Sequence, residues 1–313
     1  MLFYPKGGEK VNIVYPSYYK EFKCIGTRCR HNCCIGWEID IDSDTAAYYK
    51  SVCGSMGKRL HNSIEYGEVP HFILGEGERC PFLNKENLCD IIIELGEEHL
   101  CTICAKHPRF ENELPDRTEI GIGMACEEAA RLILSKDTQA VLVGAADTED
   151  EIIILRDKVI AALQNRDRSI FERVCDMLDM CNASLPKKEL CEWAEILLSL
   201  ERLDEKWTDM LGLLKKQVDT AAFDRYMKER EHEYEQMLVY FVYRHFANAP
   251  DVYEAAQRAA FAALAYTVIY ALGAALFEKN GSFTLQDQTE LCRLFSSEIE
   301  YSDENLYILL EKL

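Results

Sequence analysis

The chain has 313 residues, 48% hydrophobic and 28% charged, enough apolar material to bury a sizeable core in one large or two moderate domains and too much for wholesale disorder. Its formal net charge is −19, and the acidity is uneven: residues 1–126 carry 14 basic against 19 acidic side chains, residues 127–313 carry 21 against 35. Such a field repels phosphate backbones and anionic lipid, so nucleic acid is excluded as an expected partner. Its plain meaning is solubility, although it could draw in a lysine-bearing protein.

In chain order, residues 1–23 form a lead-in with an extended Val-Asn-Ile-Val-Tyr segment ending at Pro16. No basic stretch leads into an apolar run and no small-residue cleavage site follows, so a cytoplasmic protein is expected. Trp37-Glu-Ile-Asp-Ile-Asp alternates apolar and acidic residues as a half-buried strand does. Ser43 or Asp44 then caps a helix through Thr45-Ala-Ala-Tyr-Tyr-Lys. Six glycines and prolines between Gly54 and Gly77 suggest loops around brief elements. A helix over roughly Asp90 to Cys104 must stop near Pro108, and a turn at Pro115-Asp116-Arg117 separates two candidate strands. From Glu127 onward the pattern is one of successive helices, for instance Leu190, Trp193, Ile196, Leu197 and Leu200 on one face with acids opposite. Ala259 to Phe277 runs 19 residues without a charge, eight of them alanine. With no flanking basic cluster this predicts a helix buried in a bundle, not a membrane span, and Gly273 within it would let a neighbouring helix approach closely. The expected architecture is mainly α, with an N-terminal Cys-rich α+β portion with short strands, residues 1–135, packed on a C-terminal helical domain, residues 136–313.

Ten of the fourteen cysteines fall between Cys24 and Cys126. Disulfides, a bound metal or metal–sulfur cluster, and buried inert thiols compete to explain them; a reducing compartment favours metal. Cys29-x3-Cys33 and Cys101-x2-Cys104 are pairs of the kind structural zinc uses. The ferredoxin run is absent, and the Cys-x3-Cys-x2-Cys spacing fails because Gly36 holds its third position. Spacing alone therefore indicates a sulfur-ligated metal and leaves its type open. His31 could replace one thiolate, but an exposed loop histidine is the simpler reading, as a core or rim role is for His245. Cys126 stands just before a helix beginning Glu127-Glu128, where the helix dipole favours a thiolate.

The run Phe22-Lys-Cys24-Ile-Gly-Thr-Arg-Cys29-Arg-His-Asn-Cys33-Cys34-Ile-Gly-Trp37, followed by Cys80-Pro-Phe-Leu83, Leu88-Cys89, Leu95-Gly-Glu-Glu, Cys104-Ala-Lys-His-Pro-Arg109 and Cys126-Glu-Glu-Ala-Ala-Arg-Leu132, closely resembles the flagellin lysine-N-methylase family. The helical remainder is similar to that family through Tyr240-Phe-Val-Tyr-Arg-His-Phe246. The Cys-rich part alone is more loosely similar to CxxxCC-type zinc- or iron-chelating proteins. The family resemblance implies an enzyme that methylates lysine ε-amines of flagellin, uses S-adenosylmethionine and carries a [4Fe–4S] cluster. It maps family cysteines onto Cys24, Cys29, Cys33, Cys34, Cys80, Cys89, Cys104 and Cys126 without saying which four share a cluster. Cys53, Cys101, Cys175, Cys181, Cys191 and Cys292 fall outside the pattern, and His107 stands where the family often has Tyr.

Methyl transfer to lysine needs a neutral amine, an in-line approach and a site that sheds water. Tyr240 and Tyr243 are candidates for orienting the amine, with core packing as their simpler role. No Gly-x-Gly-x-x-Gly follows a strand, and Gly121-Ile-Gly123 is too short a signal, so the cofactor would need an unconventional pocket, with Arg109 placed to meet its carboxylate. Two other readings stand: a zinc-stabilised protein-binding adaptor, and an iron–sulfur protein without methyl transfer.

Overall fold

A computed structural model of the chain describes residues 12–216 and 218–313; Val11 and the lead-in before it lie outside the described residues. In chain order the elements are β1 (Asn12–Pro16), α1 (Ser43–Ser51), α2 (Gly54–Ser63), β2 (Ile64–Glu65), β3 (His71–Phe72), α3 (Asp90–Leu95), α4 (Thr102–Lys106), β4 (Arg109–Glu113), β5 (Arg117–Ile122) and α5 (Glu127–Leu134). The rest is helical apart from β6 (Leu142–Val143). It comprises α6 (Glu151–Leu163), α7 (Ile170–Met180), α8 (Leu190–Ser199), α9 (Glu205–Leu213), α10 (Ala221–Met227), α11 (Glu231–Phe246), α12 (Val252–Asn280), α13 (Leu285–Phe295) and α14 (Asp303–Lys312). A π-helical turn, Ser296–Glu300, follows α13 directly. The chain is mainly α with short strands, as its pattern predicts.

Two compact units divide the described residues: Lys23–Phe110, and Glu111–Leu313 together with residues 12–22. A seam at residue 135 would cut the second unit, because β1 pairs in parallel with β5 (Asn12 opposite Arg117) and α5 packs on α11 and α13. Cysteine density marks a chemical region; backbone pairing fixes the boundary.

In the Lys23–Phe110 unit the core is built from Ile39, Ile41, Tyr49, Met56, Leu60, Phe72, Phe82 and Ile91. Segment 37–42 alternates as expected, with Ile39 and Ile41 buried. It hydrogen-bonds to residues 70–72 (Ile41 N to Pro70 O, 2.7 Å; Phe72 N to Ile39 O, 3.1 Å) as an isolated bridge, not a full strand. The cap of α1 is Asp42, one residue before the expected Ser43, and it accepts from Thr45 N at 3.0 Å. Where glycines suggested loops, α2 forms, burying Met56 and Leu60 one turn apart. Gly57 is required there, since a Cβ would lie 2.0 Å from the Val52 carbonyl oxygen. The single helix expected over Asp90–Cys104 is two, because Gly96 at φ 103° ends α3 in a conformation closed to side-chain-bearing residues.

In the other unit α11 is buried on nearly every side although half its residues are polar, so each buried charge needs a partner. Glu235 takes Arg166 (2.8 and 2.9 Å) and Arg173 (2.8 Å), Glu233 takes Arg230, and Gln236 donates to Thr138 O at 2.6 Å. Helix α12 is long and apolar enough to cross a membrane by composition, yet 78% of its most apolar stretch is buried among helices of its own unit, α11, α13 and α7. The space beside Gly273 is filled by the rings of Phe223 and Phe283, 2.9 and 3.2 Å from where a Cβ would stand, and not by the backbone of another helix.

Candidate functional site

All fourteen cysteines are free thiols. Within Lys23–Phe110, local pairing draws distant ones together. Residues 34–36 run beside 78–80, with Cys80 N donating to Cys34 O at 2.9 Å and Gly36 N to Glu78 O at 3.1 Å. The turn that follows brings Leu83 opposite Cys89, and Asp90 N donates to Phe82 O at 2.8 Å. Cys89 stands at the N-cap of α3 and Cys101 at that of α4. Asp42 ties the start of α4 to that of α1 by accepting from Thr102 N at 2.8 Å. The result is one apolar core that holds Cys80 and Cys101, with Cys34, Cys89, Cys104 and Trp37 packed against it. Tyr49, whose hydroxyl donates to His99 O at 2.7 Å, belongs to the same core.

The electrostatics suit sulfur held as thiol or capped by a cation. Burial pushes Cys80 up to about 11 and also raises Cys89. Cys33 is lowered by a hydrogen bond from Cys34, and Cys101 by one from Cys104, so one member of each pair is the favoured thiolate and its partner is raised. Neighbouring thiolates in an apolar shell repel one another, and a bound cation reverses that repulsion.

Of the residues singled out from the sequence, Cys34, Cys80, Cys89 and Cys104 share this core, and Cys33 joins it through Cys34. Cys24 is exposed, its sulfur accepting from Gly26 N at 3.4 Å; Cys29 donates to His31 O at 3.0 Å. Arg109 opens β4 and is half-buried. Cys126 belongs to the other unit, at the N-cap of α5. Sequence reasoning left Cys101 aside as outside the family pattern; it is 1% exposed within this core. Its spacing from Cys104 was the available signal. His107, 5.9 Å from Trp37 between ring centroids, is pushed down to about 4 by burial and so stays neutral.

Among the described residues no three Cys, His, Asp or Glu side chains stand close enough to hold one metal ion. A single zinc with Zn–S near 2.3 Å needs four ligands within about 4 Å of each other, and among the described residues the thiols come no closer to this than in pairs. Five thiols around one apolar core fit a larger sulfur-ligated group in kind and in number.

The second constellation lies in the helical unit. The Tyr240 hydroxyl accepts from Met124 N at 3.1 Å and from Arg244 Nη1 at 2.7 Å, and donates to the Glu300 carboxylate at 3.1 Å. His245 Nε2 lies 2.7 Å from Glu300 Oε1, and burial lowers the His245 pKa. Arg244 and His245 together keep the Glu300 carboxyl below its ordinary value in spite of burial. The Tyr243 hydroxyl donates to Val14 O and Ile120 O at 3.0 and 3.2 Å, which ties β1 to β5. Its ring faces Arg156, the partner of buried Glu119. Both tyrosines thus act as struts between α11 and the strands and loops of this unit.

Residues 192–313 match the family model of the FliB lysine N-methylase C-terminal domain, the segment that holds α11 and the π turn. The flagellar biosynthetic protein FliU of Salmonella muenchen is 25% identical over 158 residues, 47% of this chain and 91% of that protein. The lysine-N-methylases of Salmonella typhimurium and Salmonella choleraesuis are each 26% identical over 137 residues, 41% of this chain. Those two alignments span about a third (33%) of the methylases' own length. No solved structure matches. The ordered cysteine motifs and the matched helical segment point the same way: over residues 192–313 the chain is similar to the C-terminal domain of the FliB lysine N-methylases, and it is similar to the lysine-N-methylases of Salmonella over part of their length.

Proposed function

We propose that the chain is a protein-lysine N-methyltransferase acting on flagellin, with S-adenosylmethionine as methyl donor and a Cys-ligated [4Fe–4S] cluster in the Lys23–Phe110 unit. The observation that carries the reading is the match of residues 192–313 to a lysine N-methylase domain in the same chain as a five-thiol core. Cys34, Cys80, Cys89, Cys101 and Cys104 are the residues that would hold the cluster, and Arg109 is the cation proposed for the cofactor's carboxylate. When bound, the cluster supplies positive charge that keeps these sulfurs as thiolates. Reduced thiols of this kind suit a cytoplasmic setting.

The reaction displaces a thioether. The amine lone pair forms the N–C bond, the S–C bond breaks with its electrons remaining on sulfur, and the proton of the substrate ammonium leaves to solvent or a base. A lysine near pKa 10.4 must lose that proton first, and an acidic protein surface attracts the charged form before transfer. The 21 basic against 35 acidic residues of 127–313 provide that field.

The test is incubation of anaerobically purified protein with flagellin and methyl-labelled S-adenosylmethionine, followed by peptide mass spectrometry. Label on lysine is expected. No label on any lysine, from protein that carries its metal, overturns the reading; colourless zinc protein would favour the adaptor, and iron protein without cofactor binding the electron carrier.

A further inference from the structure

The Tyr240-Phe-Val-Tyr-Arg-His-Phe246 run has no assigned role in methyl transfer, yet Tyr240 and Arg244 within it converge on one short backbone segment. Tyr240 takes the Met124 amide, and the same hydroxyl is held by Arg244 and Glu300. The Arg244 guanidinium lies 4.9 Å over the Tyr301 ring. Gly123 faces the pair so closely that a Cβ would stand 2.3 Å from the Tyr301 hydroxyl and 2.9 Å from Arg244 Nη1. Cys126 N closes the turn on Gly123 O at 3.3 Å. Cys126 and Tyr301 lie near enough to interact electrostatically. Glu300 ends a π-helical turn, a feature that recurs where a helix re-aims a side chain at a functional site.

We propose that Tyr240, Arg244 and Glu300 are positioning residues that fix the Gly123–Cys126 turn, so that the helical domain sets where the Cys126 thiol stands. This goes beyond the methylase reading, which gives Cys126 no role, and rests for the importance of that thiol on the family resemblance that maps a family cysteine onto it. Glu300 is buried and bound on three sides, by Tyr240, His245 and Arg244, so the network is rigid. Tyr240→Phe keeps the ring and deletes the hydroxyl, which leaves the Met124 amide, Arg244 and Glu300 short of one partner each. Tyr234, on the same helix, is equally buried and its hydroxyl has no hydrogen-bond partner among the described residues. Tyr234→Phe is therefore the matched control.

The experiment is site-resolved alkylation of the metal-free full chain by iodoacetamide, read by mass spectrometry, with exposed Cys53 and buried Cys181 and Cys292 as internal standards. Tyr240→Phe is expected to change the Cys126 rate about tenfold, with the standards unmoved, and Tyr234→Phe to leave Cys126 unchanged. Gly123→Ala, which pushes on Tyr301 directly, should reproduce the Tyr240→Phe effect. An unchanged Cys126 rate in Tyr240→Phe overturns the proposal. So does a parallel rise at Cys181 and Cys292, which would make the network a general stabiliser. Neither readout depends on methyl transfer or on iron, so failure of the methylase reading would show separately in the labelling assay.

Discussion

Replacing Asp42 with Ala removes two backbone hydrogen bonds at once, the N-cap of α1 (Thr45 N, 3.0 Å) and the tether on the first residue of α4 (Thr102 N, 2.8 Å), together with the bond from the Thr45 hydroxyl (2.9 Å). Partial burial pushes the Asp42 carboxyl up, and the donors from Thr102 and Thr45 outweigh it and bring it to about 2. From an ordinary 3.8 that corresponds to about 2.4 kcal/mol as an upper figure. Solvent screening of a partly exposed side chain lowers it to about 1–2 kcal/mol, which agrees with the usual worth of an N-cap. The folded-state pKa is depressed, so this contribution is fully present above about pH 4 and is lost as pH falls toward 2. Hydrogen exchange of the Lys23–Phe110 unit is the suitable assay, because a two-unit chain need not unfold in one step. Asp42→Ala should speed exchange of the amides of Thr45 and Thr102 by about tenfold near neutral pH, with Asp42→Asn closer to wild type. Exchange at Thr102 that is indifferent to Asp42→Ala would refute the idea that one carboxylate clamps the cysteine-bearing helix.

Other expectations concern burial and sulfur. Glu119→Gln removes the charge that faces Arg156, whose side chain is 0% exposed, and leaves Asp157 as its carboxylate partner among the described residues. The Glu111–Leu313 unit should lose about 3 kcal/mol in urea denaturation, and a loss below 1 kcal/mol contradicts the pairing. His107 titrates near 4 folded against about 6.5 unfolded, so it subtracts stability as pH falls from about 6.5 to 4. Between pH 7.5 and 5 that amounts to about 2 kcal/mol. His107→Tyr should flatten the pH dependence by that amount, and an unchanged slope would argue against a buried neutral imidazole. Cys101→Ser should lower iron bound on anaerobic reconstitution at least twofold, whereas exposed Cys53→Ser should not; equal iron in both removes Cys101 from the ligand set.

The helical half was largely legible because its signals are local. Leu190, Trp193 and Leu197 lie on one face, and Trp193 and Leu197 are buried as the spacing required. Cys126 was placed correctly at a helix start. What the pattern missed depends on tertiary geometry. The break at Gly96 hid inside an apolar run whose periodicity continues across it, and α2 was obscured by Gly54 and Gly57. These glycines serve a positive φ and a close approach to Val52 O respectively, where composition suggested loop. Cys101 falls outside the family pattern although its spacing from Cys104 suits a metal pair, and in space it shares one core with Cys80, Cys89 and Cys104. Tyr240 and Tyr243 are residue types that could orient an amine, and only the positions of Met124, Glu300, Val14 and Ile120 show their hydroxyls committed to buried partners.

Central to the account is that the thiol core of Lys23–Phe110 serves iron. Quantifying iron, acid-labile sulfide and zinc in protein purified without oxygen tests this most directly. The account predicts a brown protein with about four iron and four sulfide per chain, reduced when Cys34, Cys80, Cys89 or Cys104 is replaced by Ser. A colourless protein with one zinc, or with no metal and full methyl transfer, would contradict it.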